Sequence, residues 1–136
     1  VSISGSISDW NFGIGTNEDT DSIDLTVDTN MGSWSVSVQD GLDGGKSEGT
    51  EGKMAEWTSA GGYVTSGEYL FNALKVKSGT GSYVTLSGSS QPLQSGSTQG
   101  ILPFDIGIRQ DIVETDPALS SDHYYHIVIT FTGAAA

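Results

Sequence analysis

The feature that most constrains this chain is an alternation of apolar and polar residues at every second position. In SIDLTVD (residues 22–28), isoleucine, leucine and valine alternate with serine, aspartate and threonine. The same period recurs in WSVSV (34–38), LKVK (74–77) and ILPFDIGI (101–108). Successive side chains of a β-strand point to opposite faces, so this period is typical of strands with one buried face. The pattern predicts an all-β chain.

Turn-forming residues separate these segments at short intervals. Nineteen of the 136 residues are glycine, and there is no cysteine. A chain of this length buries a core without disulfides, and such spacing of strands and turns is typical of β-sandwiches. We predict one antiparallel β-sandwich domain over residues 1–136, with seven to nine strands. The pattern leaves an immunoglobulin-like and a jelly-roll arrangement open.

The spacing of the strand segments leads to further expectations. Residues 22–38 are expected to form a hairpin around the turn at 29–32, and residues 73–86 a second hairpin. The segment YYHIVITFT at 124–132 is apolar on parts of both faces, which is typical of a central strand. Residues 40–52 are rich in glycine and charge, so they are expected to form a long exposed loop.

The charge balance excludes several classes of partner. Five lysines and arginines stand against seventeen aspartates and glutamates, which gives a formal net charge of −12. Nucleic acids and anionic membrane surfaces are bound by cationic patches, so neither is expected as a partner. No apolar run approaches the roughly 20 residues of a membrane helix, and we expect no membrane span.

Catalytic motifs are missing from the sequence. His123 and His126 are the only histidines, and on a strand a spacing of three places them on opposite faces. Ser121, Asp122 and His123 are the residue types of a hydrolytic triad, but consecutive residues do not form one. There is no P-loop, GxGxxG or HExxH motif. We therefore expect that the protein is not an enzyme.

Acidic residues form the one constellation that suggests a ligand. Glu18, Asp19, Asp21 and Asp24 lie within seven residues, in a segment expected to be a loop that runs into a strand. Calcium takes about six to eight oxygen ligands from such loops, but neither an EF-hand nor an RTX repeat is present. We expect that no cofactor is required. Calcium (Ca2+) at these four residues is the candidate ligand, and a solvated acidic segment is the alternative.

The first residues of the chain are patterned as a strand. Val1, Ile3 and Ile7 share one face, and the apolar phase then slips near Ser8 and Asp9, which requires a bulge, bend or break. Such a strand pairs either with its own sheet or with the sheet of a neighbouring copy. We predict that it is donated to another copy. The predicted donor strand consists of Val1, Ser2, Ile3, Ser4, Gly5, Ser6, Ile7 and Ser8.

Strand donation from head to tail does not close on itself and builds a filament. The expected function is therefore an extracellular structural subunit that polymerises with itself by strand complementation into a surface filament or sheath. Because the sequence starts at Val1 without methionine, we expect that a signal peptide has been removed and that the protein is extracellular or on the cell surface. The acceptor edge is not assigned, and residues 124–132 are one candidate.

Aromatic residues favour an alternative function. Exposed aromatic rings stack on sugars, so a calcium-dependent adhesion or carbohydrate-binding module is the alternative, with surface glycans and divalent cations as partners. The strand phase predicts Tyr83 and Tyr124 to be the most exposed tyrosines. Trp34 shares the apolar phase of Val36 and Val38 and is expected to lie in the core.

The order of these segments resembles that of a group of surface proteins. Trp10 follows a short first strand, and SIDLTVDTNMGSWSVSVQD, LFNALKV and YYHIVITFTG come after it. This order is similar to that of small secreted β-sandwich domains of archaeal and Gram-positive surfaces, the WxL-like domains and the camelysin/TasA-type matrix-fibre subunits. The chain has WNF at 10–12 and WSV at 34–36 in place of Trp-x-Leu, and no protease residues carry over. The resemblance implies an extracellular or cell-surface fibre component.

Overall fold

The computed structural model describes residues 1–8 and 10–135. Asp9, where we expected the apolar phase to slip, and Ala136 lie outside the described residues. These residues contain eleven strands and no helix, hence none long and apolar enough to cross a membrane. The predicted all-β class is confirmed, and four of the strands are only two or three residues long. The strands are β1 (Ser2–Ser4), β2 (Gly15–Thr29), β3 (Trp34–Gln39), β4 (Ala55–Thr58), β5 (Gly62–Tyr63), β6 (Lys75–Ser78), β7 (Val84–Thr85), β8 (Gln91–Gly96), β9 (Gly100–Ile112), β10 (Tyr124–His126) and β11 (Thr130–Ala135).

The strands form three antiparallel sheets. The large sheet has the order β1-β2-β9-β6-β7, the second sheet β11-β3-β8, and the third sheet β10-β4-β5. The long strands β2 and β9 pair along nearly their whole length, from Gly15 opposite Ile112 to Thr29 opposite Gly100. This ladder is the framework on which the shorter strands of the large sheet are placed.

The large and second sheets pack face to face and enclose the core. Leu25 and Ile106 of the large sheet are 0% exposed, and Val36 and Val38 of the second sheet are 1% exposed. Because β2, β3 and β6 bury alternate residues, the period of two in these strands is explained by this sandwich. The buried core residues are Leu25, Val27, Trp34, Val36, Val38, Leu74, Val76, Leu86, Ile106 and Ile108.

The hairpin expected within residues 22–38 is wrong. β2 pairs with β1 and β9, whereas β3 pairs with β11 and β8, so the turn between them carries the chain from one layer to the other. The apolar phase of a strand shows which residues face the core, but not from which layer they face it. The second hairpin, within residues 73–86, is confirmed, since Val76 of β6 lies opposite Val84 of β7.

The segment 124–132 is not one central strand, as its pattern predicted. It contains β10, at an edge of the third sheet, and the start of β11, at an edge of the second sheet. Ile127 and Ile129 in the connection pack against the core, whereas Val128 is 42% exposed. The apolar residues on both faces therefore mark a crossing between sheets.

The glycine-rich residues 40–52 are not simply an exposed loop. Asp40, Lys46 and Thr50 are buried. Nζ of Lys46 lies 2.5 Å from Oδ2 of Asp40 and donates to the carbonyl oxygen of Thr50 at 2.6 Å. The N–H of Gly52 donates to the same carboxylate oxygen at 2.8 Å. The loop therefore encloses a buried ion pair.

Candidate functional site

The predicted donor strand lies at the edge of the large sheet of its own chain. β1 pairs with residues 24–26 of β2, with Ile3 opposite Leu25. Residues opposite each other in a ladder point to the same face, so Ile3 points towards the core as Leu25 does. Val1 and Ile3 nevertheless remain 52% and 39% exposed. Only three residue pairs hold β1, and its apolar side chains are incompletely covered.

Two glycines shape the place where this strand lies. Gly5 has a φ of +88°, and a Cβ there would lie 2.0 Å from the carbonyl oxygen of Ser22. A Cβ on Gly133 of β11 would lie 2.7 Å from Cγ1 of Val1. The side chain of Val1 therefore lies directly over the bare backbone of Gly133. We call residues 22–26 of β2 together with Gly133 the β1 site.

The connection from β1 to β2 contains no strand in residues 5–8 and 10–14. Ile7 and Trp10 are partly buried against the core, whereas Ser6 and Ser8 are exposed. Fully extended, a connection from residue 5 to residue 14 reaches about 33–36 Å. This connection is the segment that would extend if β1 were donated to a neighbouring copy, and its extension would release Ile7 and Trp10 from the core.

Two strand edges lie next to each other at the β1 site. β1 ends the large sheet and β11 ends the second sheet, and the contact of Val1 with Gly133 joins them. Neither strand contains a charged residue or a proline, which are features that commonly prevent pairing between sheet edges. The opposite edge of the second sheet, β8, contains Pro92 and a register shift. Of the two edges of the second sheet, β11 is therefore the better suited to pairing with another chain.

The predicted calcium residues lie on β2 and not in a loop. Glu18 and Asp19 precede a register shift against β9, Asp21 lies within it and Asp24 follows it. Burial raises the pKa of Asp19, but hydrogen bonds from Ser22 and Asp21 lower it overall. In residues 1–8 and 10–135, no group of three or more His, Cys, Asp and Glu side chains is placed to hold a metal ion. Calcium binding stays a prediction.

The third sheet aligns aromatic side chains on one face. Tyr124, Trp57 and Tyr63 lie opposite one another across β10, β4 and β5. The ring of His126 stacks on Trp57 with centroids 4.4 Å apart, and its Nδ1 lies 3.0 Å from the Tyr63 hydroxyl. Trp57 and Tyr63 belong to one local hairpin, whereas Tyr124 and His126 lie much later in the chain, and the register of β10 against β4 brings the two groups together. Sequence reasoning missed this cluster, although it predicted that Tyr124, which is 50% exposed, reaches solvent.

The two histidines make separate contacts, but His123 precedes β10 and so is not on the strand for which their spacing predicted opposite faces. His123 bonds Oε2 of Glu56 at 2.6 Å, away from His126. Burial lowers the pKa of His126 and raises the pKa of Tyr63 to about 12. A hydrogen bond from the backbone of Glu68, and then one from His123, lowers the pKa of Glu56. Near neutral pH the His126–Tyr63 pair is therefore uncharged.

A cavity of about 380 Å³ lies beside the third sheet and is bordered by the glycine-rich loop. Tyr63 and Tyr69 line it, together with the carboxylates of Glu56 and Glu68. The Tyr69 side chain is 45% exposed, and Nζ of Lys53 lies 5.5 Å from its ring centroid. The cavity therefore offers an aromatic ring beside hydrogen-bond acceptors, which is an arrangement suited to a polar ring-shaped ligand.

Tyr83, which the strand phase predicts to be exposed, is partly buried. Nζ of Lys77 lies 4.9 Å and Cζ of Arg109 lies 5.8 Å from its ring centroid. Burial and then the charge of Glu18 raise the pKa of Tyr83. Because two cations approach its ring, Tyr83 offers less free surface for stacking than Tyr69 or Tyr124.

The chain was compared with protein-family models, with curated proteins and with solved structures, and nothing matched in any of the three. The resemblance to WxL-like and camelysin/TasA-type domains therefore stays a prediction that is carried by the order of sequence segments. The β1 site and the cavity beside the third sheet are the features from which a function can be proposed.

Proposed function

We propose that the protein is an extracellular structural subunit that polymerises from head to tail by donating residues 1–8 to another copy. The observation that supports this best is the weak attachment of β1, which has three residue pairs and incompletely covered apolar side chains. Pairing with another copy preserves the backbone hydrogen bonds of this strand. Donor and acceptor are different surfaces, so the contact repeats without closing and yields a filament.

The surface charge is consistent with assembly through β1 and β11. Identical copies with a formal charge of −12 repel one another, and this repulsion weakens as salt rises. Neither edge strand contains a charged residue, so pairing there brings no like-charged strand residues opposite each other. Assembly is therefore favoured by an ionic strength near or above the physiological value.

Deleting residues 1–8 is expected to abolish polymerisation, because the variant has no strand to donate. Fibres of the full chain, viewed by negative-stain microscopy and measured by sedimentation, should be replaced by small soluble species. A synthetic peptide VSISGSIS should bind the deletion variant without restoring fibres, since the peptide is not linked to a further copy. Ser97→Ala, at an exposed residue outside residues 1–8, is the control and should polymerise normally. Fibres of normal appearance from the deletion variant contradict the proposal.

The cavity beside the third sheet favours a second candidate function, a carbohydrate-binding module. The Tyr69 ring is exposed at its border, and the exposed residue Glu68 supplies an acceptor for sugar hydroxyl groups. The neighbouring His126–Tyr63 pair is uncharged near neutral pH, which suits a neutral ligand. One chain can serve both as a structural subunit of a surface layer and as a glycan-binding protein.

Replacing Tyr69 with Ala is expected to weaken sugar binding at least about tenfold, because the stacking surface is lost. The measurement is an NMR titration with the methyl glycosides of glucose, galactose and N-acetylglucosamine. Phe71→Ala is the matched control, since Phe71 is 67% exposed but does not line the cavity. An equal loss in both variants, or no binding by the original chain, removes this candidate.

A further inference from the structure

We infer that the acceptor of the donated strand is the β1 site itself, so that a second copy places its residues 1–5 along residues 22–26 of β2 and over Gly133. The identity of this acceptor rests on the proposed function, which leaves the acceptor edge open. The occupant is another copy of this chain, and the contacts that it makes are those seen for β1 within one molecule.

The backbone of β2 fits this strand in a defined register. Residues 2–4 lie opposite residues 26–24, and Ile3 shares the core-facing side of the ladder with Leu25. Leu25 is 0% exposed, so the strand lies at the margin of the core. A donated strand in the same register directs Ile3 to this margin, whereas a shift by one residue turns Ile3 to the outer face.

Close steric contacts make the β1 site selective for residues 1–5. Gly5 passes over the carbonyl oxygen of Ser22 at a distance that excludes a Cβ, and its φ of +88° also favours glycine. Val1 occupies the space over Gly133, and a side chain on residue 133 would fill this space instead. The β1 site is thus complementary to a valine followed, four residues later, by a glycine.

Exchange between copies conserves these contacts. A copy that donates its own β1 leaves its own β1 site open, so each subunit of a filament offers one strand and one site. The connection from residue 5 to residue 14 reaches about 33–36 Å when fully extended. The rival acceptor is the outer edge of β11, which also lacks charge and proline but has no contact shaped to Gly5.

Disulfide trapping identifies the acceptor, because the chain has no cysteine of its own. One preparation carries Ser2→Cys and a second carries Thr26→Cys, and the two are mixed in the unfolded state, refolded together under polymerising conditions and oxidised. Ser2 and Thr26 are directly opposite in the ladder, where Cα atoms lie about 4.5–5.5 Å apart, within the range of a disulfide. Each chain has a single thiol, so a Ser2→Cys–Thr26→Cys disulfide always joins two different copies.

The rival acceptor is tested by mixing Ser2→Cys with Thr132→Cys, whose position lies on β11. We expect at least tenfold more heterodimer with Thr26→Cys than with Thr132→Cys, measured by mass spectrometry of the non-reduced protein. A chain carrying both Ser2→Cys and Thr26→Cys shows, as a dilute monomer, that the two thiols reach each other.

The outcomes separate the acceptor from the proposed function. A dominant heterodimer with Thr132→Cys overturns the β1 site as acceptor and retains strand donation. Fibres without either heterodimer overturn this acceptor alone. The absence of both fibres and heterodimers overturns the acceptor and the proposed function together. If the Thr26→Cys heterodimer forms but the assemblies are closed dimers, the β1 site is supported as the acceptor and the proposed filament is contradicted.

Discussion

Replacing Lys46 with Met is expected to lower the free energy of unfolding by about 3–5 kcal/mol. The side chains of Lys46 and Asp40 are each 1% exposed, and the ammonium group lies 2.5 Å from the carboxylate. Methionine fills a similar volume but leaves the carboxylate buried without a counter-charge. The N–H groups of Leu42 and Gly52 still donate to Asp40, but they do not neutralise it. Urea unfolding followed by tryptophan fluorescence measures the loss.

Two further variants separate the buried charge from lost packing. The double variant Asp40→Asn, Lys46→Met carries no ion, so it should lose less stability than Lys46→Met alone. Lys53→Met is the matched lysine control, because Lys53 lies over the rings of Tyr69 and Phe71 and makes no buried ion pair. Its loss should stay below about 1 kcal/mol. Equal losses for Lys46→Met and Lys53→Met would contradict a buried ion pair.

Replacing Gly52 with Ala is expected to cost about 2–5 kcal/mol, for two reasons that add. Gly52 has a φ of +79°, where a non-glycine residue costs about 1–2 kcal/mol. The added Cβ would also lie 2.0 Å from the carbonyl oxygen of Leu86, so the backbone has to shift, at about 1–3 kcal/mol. The N–H of Leu74 donates to the Gly52 carbonyl, and such a shift disturbs this bond as well. Thermal and urea unfolding report the change.

Gly49→Ala is the matched control for the steric part of this effect. Gly49 has a φ of +92° in the same loop, but no atom outside its chain neighbours lies within 4 Å of a Cβ built there. Its loss should therefore be limited to the cost of the backbone conformation, about 1–2 kcal/mol. If Gly52→Ala is no more destabilising than Gly49→Ala, the close approach to Leu86 does not contribute to the loss of stability.

The sequence was sufficient for the class of the fold and for the faces of the strands. Alternation identified Leu25, Val36 and Ile106 as inward-facing, and all three are buried. It also identified the β6–β7 hairpin, because the two strands are close in the chain and joined by a tight turn. The predicted pairing of β2 with β3 was wrong. Two strands that face the same core from opposite layers have the same alternation as two neighbouring strands of one sheet, so alternation does not distinguish the two cases.

The candidate sites were less accessible to sequence reasoning. The register that aligns Tyr124 with Trp57 and Tyr63 joins β10 to the distant β4–β5 hairpin, and no local pattern encodes it. The charges of residues 40–52 predicted solvent exposure because a single lysine among acidic residues gives no indication that it is buried. That Val1 lies over Gly133 depends on the packing of two sheets, and the sequence predicted only that residues 1–8 form a strand.

The long ladder between β2 and β9 has a consequence for how the chain acquires its structure. It joins Gly15 to Ile112, so most of the chain has to be synthesised before these strands can meet, and such non-local pairing is slow. During this interval neither the β1 site nor the core margin at Leu25 is complete. We therefore expect strand exchange to occur while the chains are still folding and to increase with the concentration of folding chains. We do not expect it to occur by reopening of molecules that have already folded.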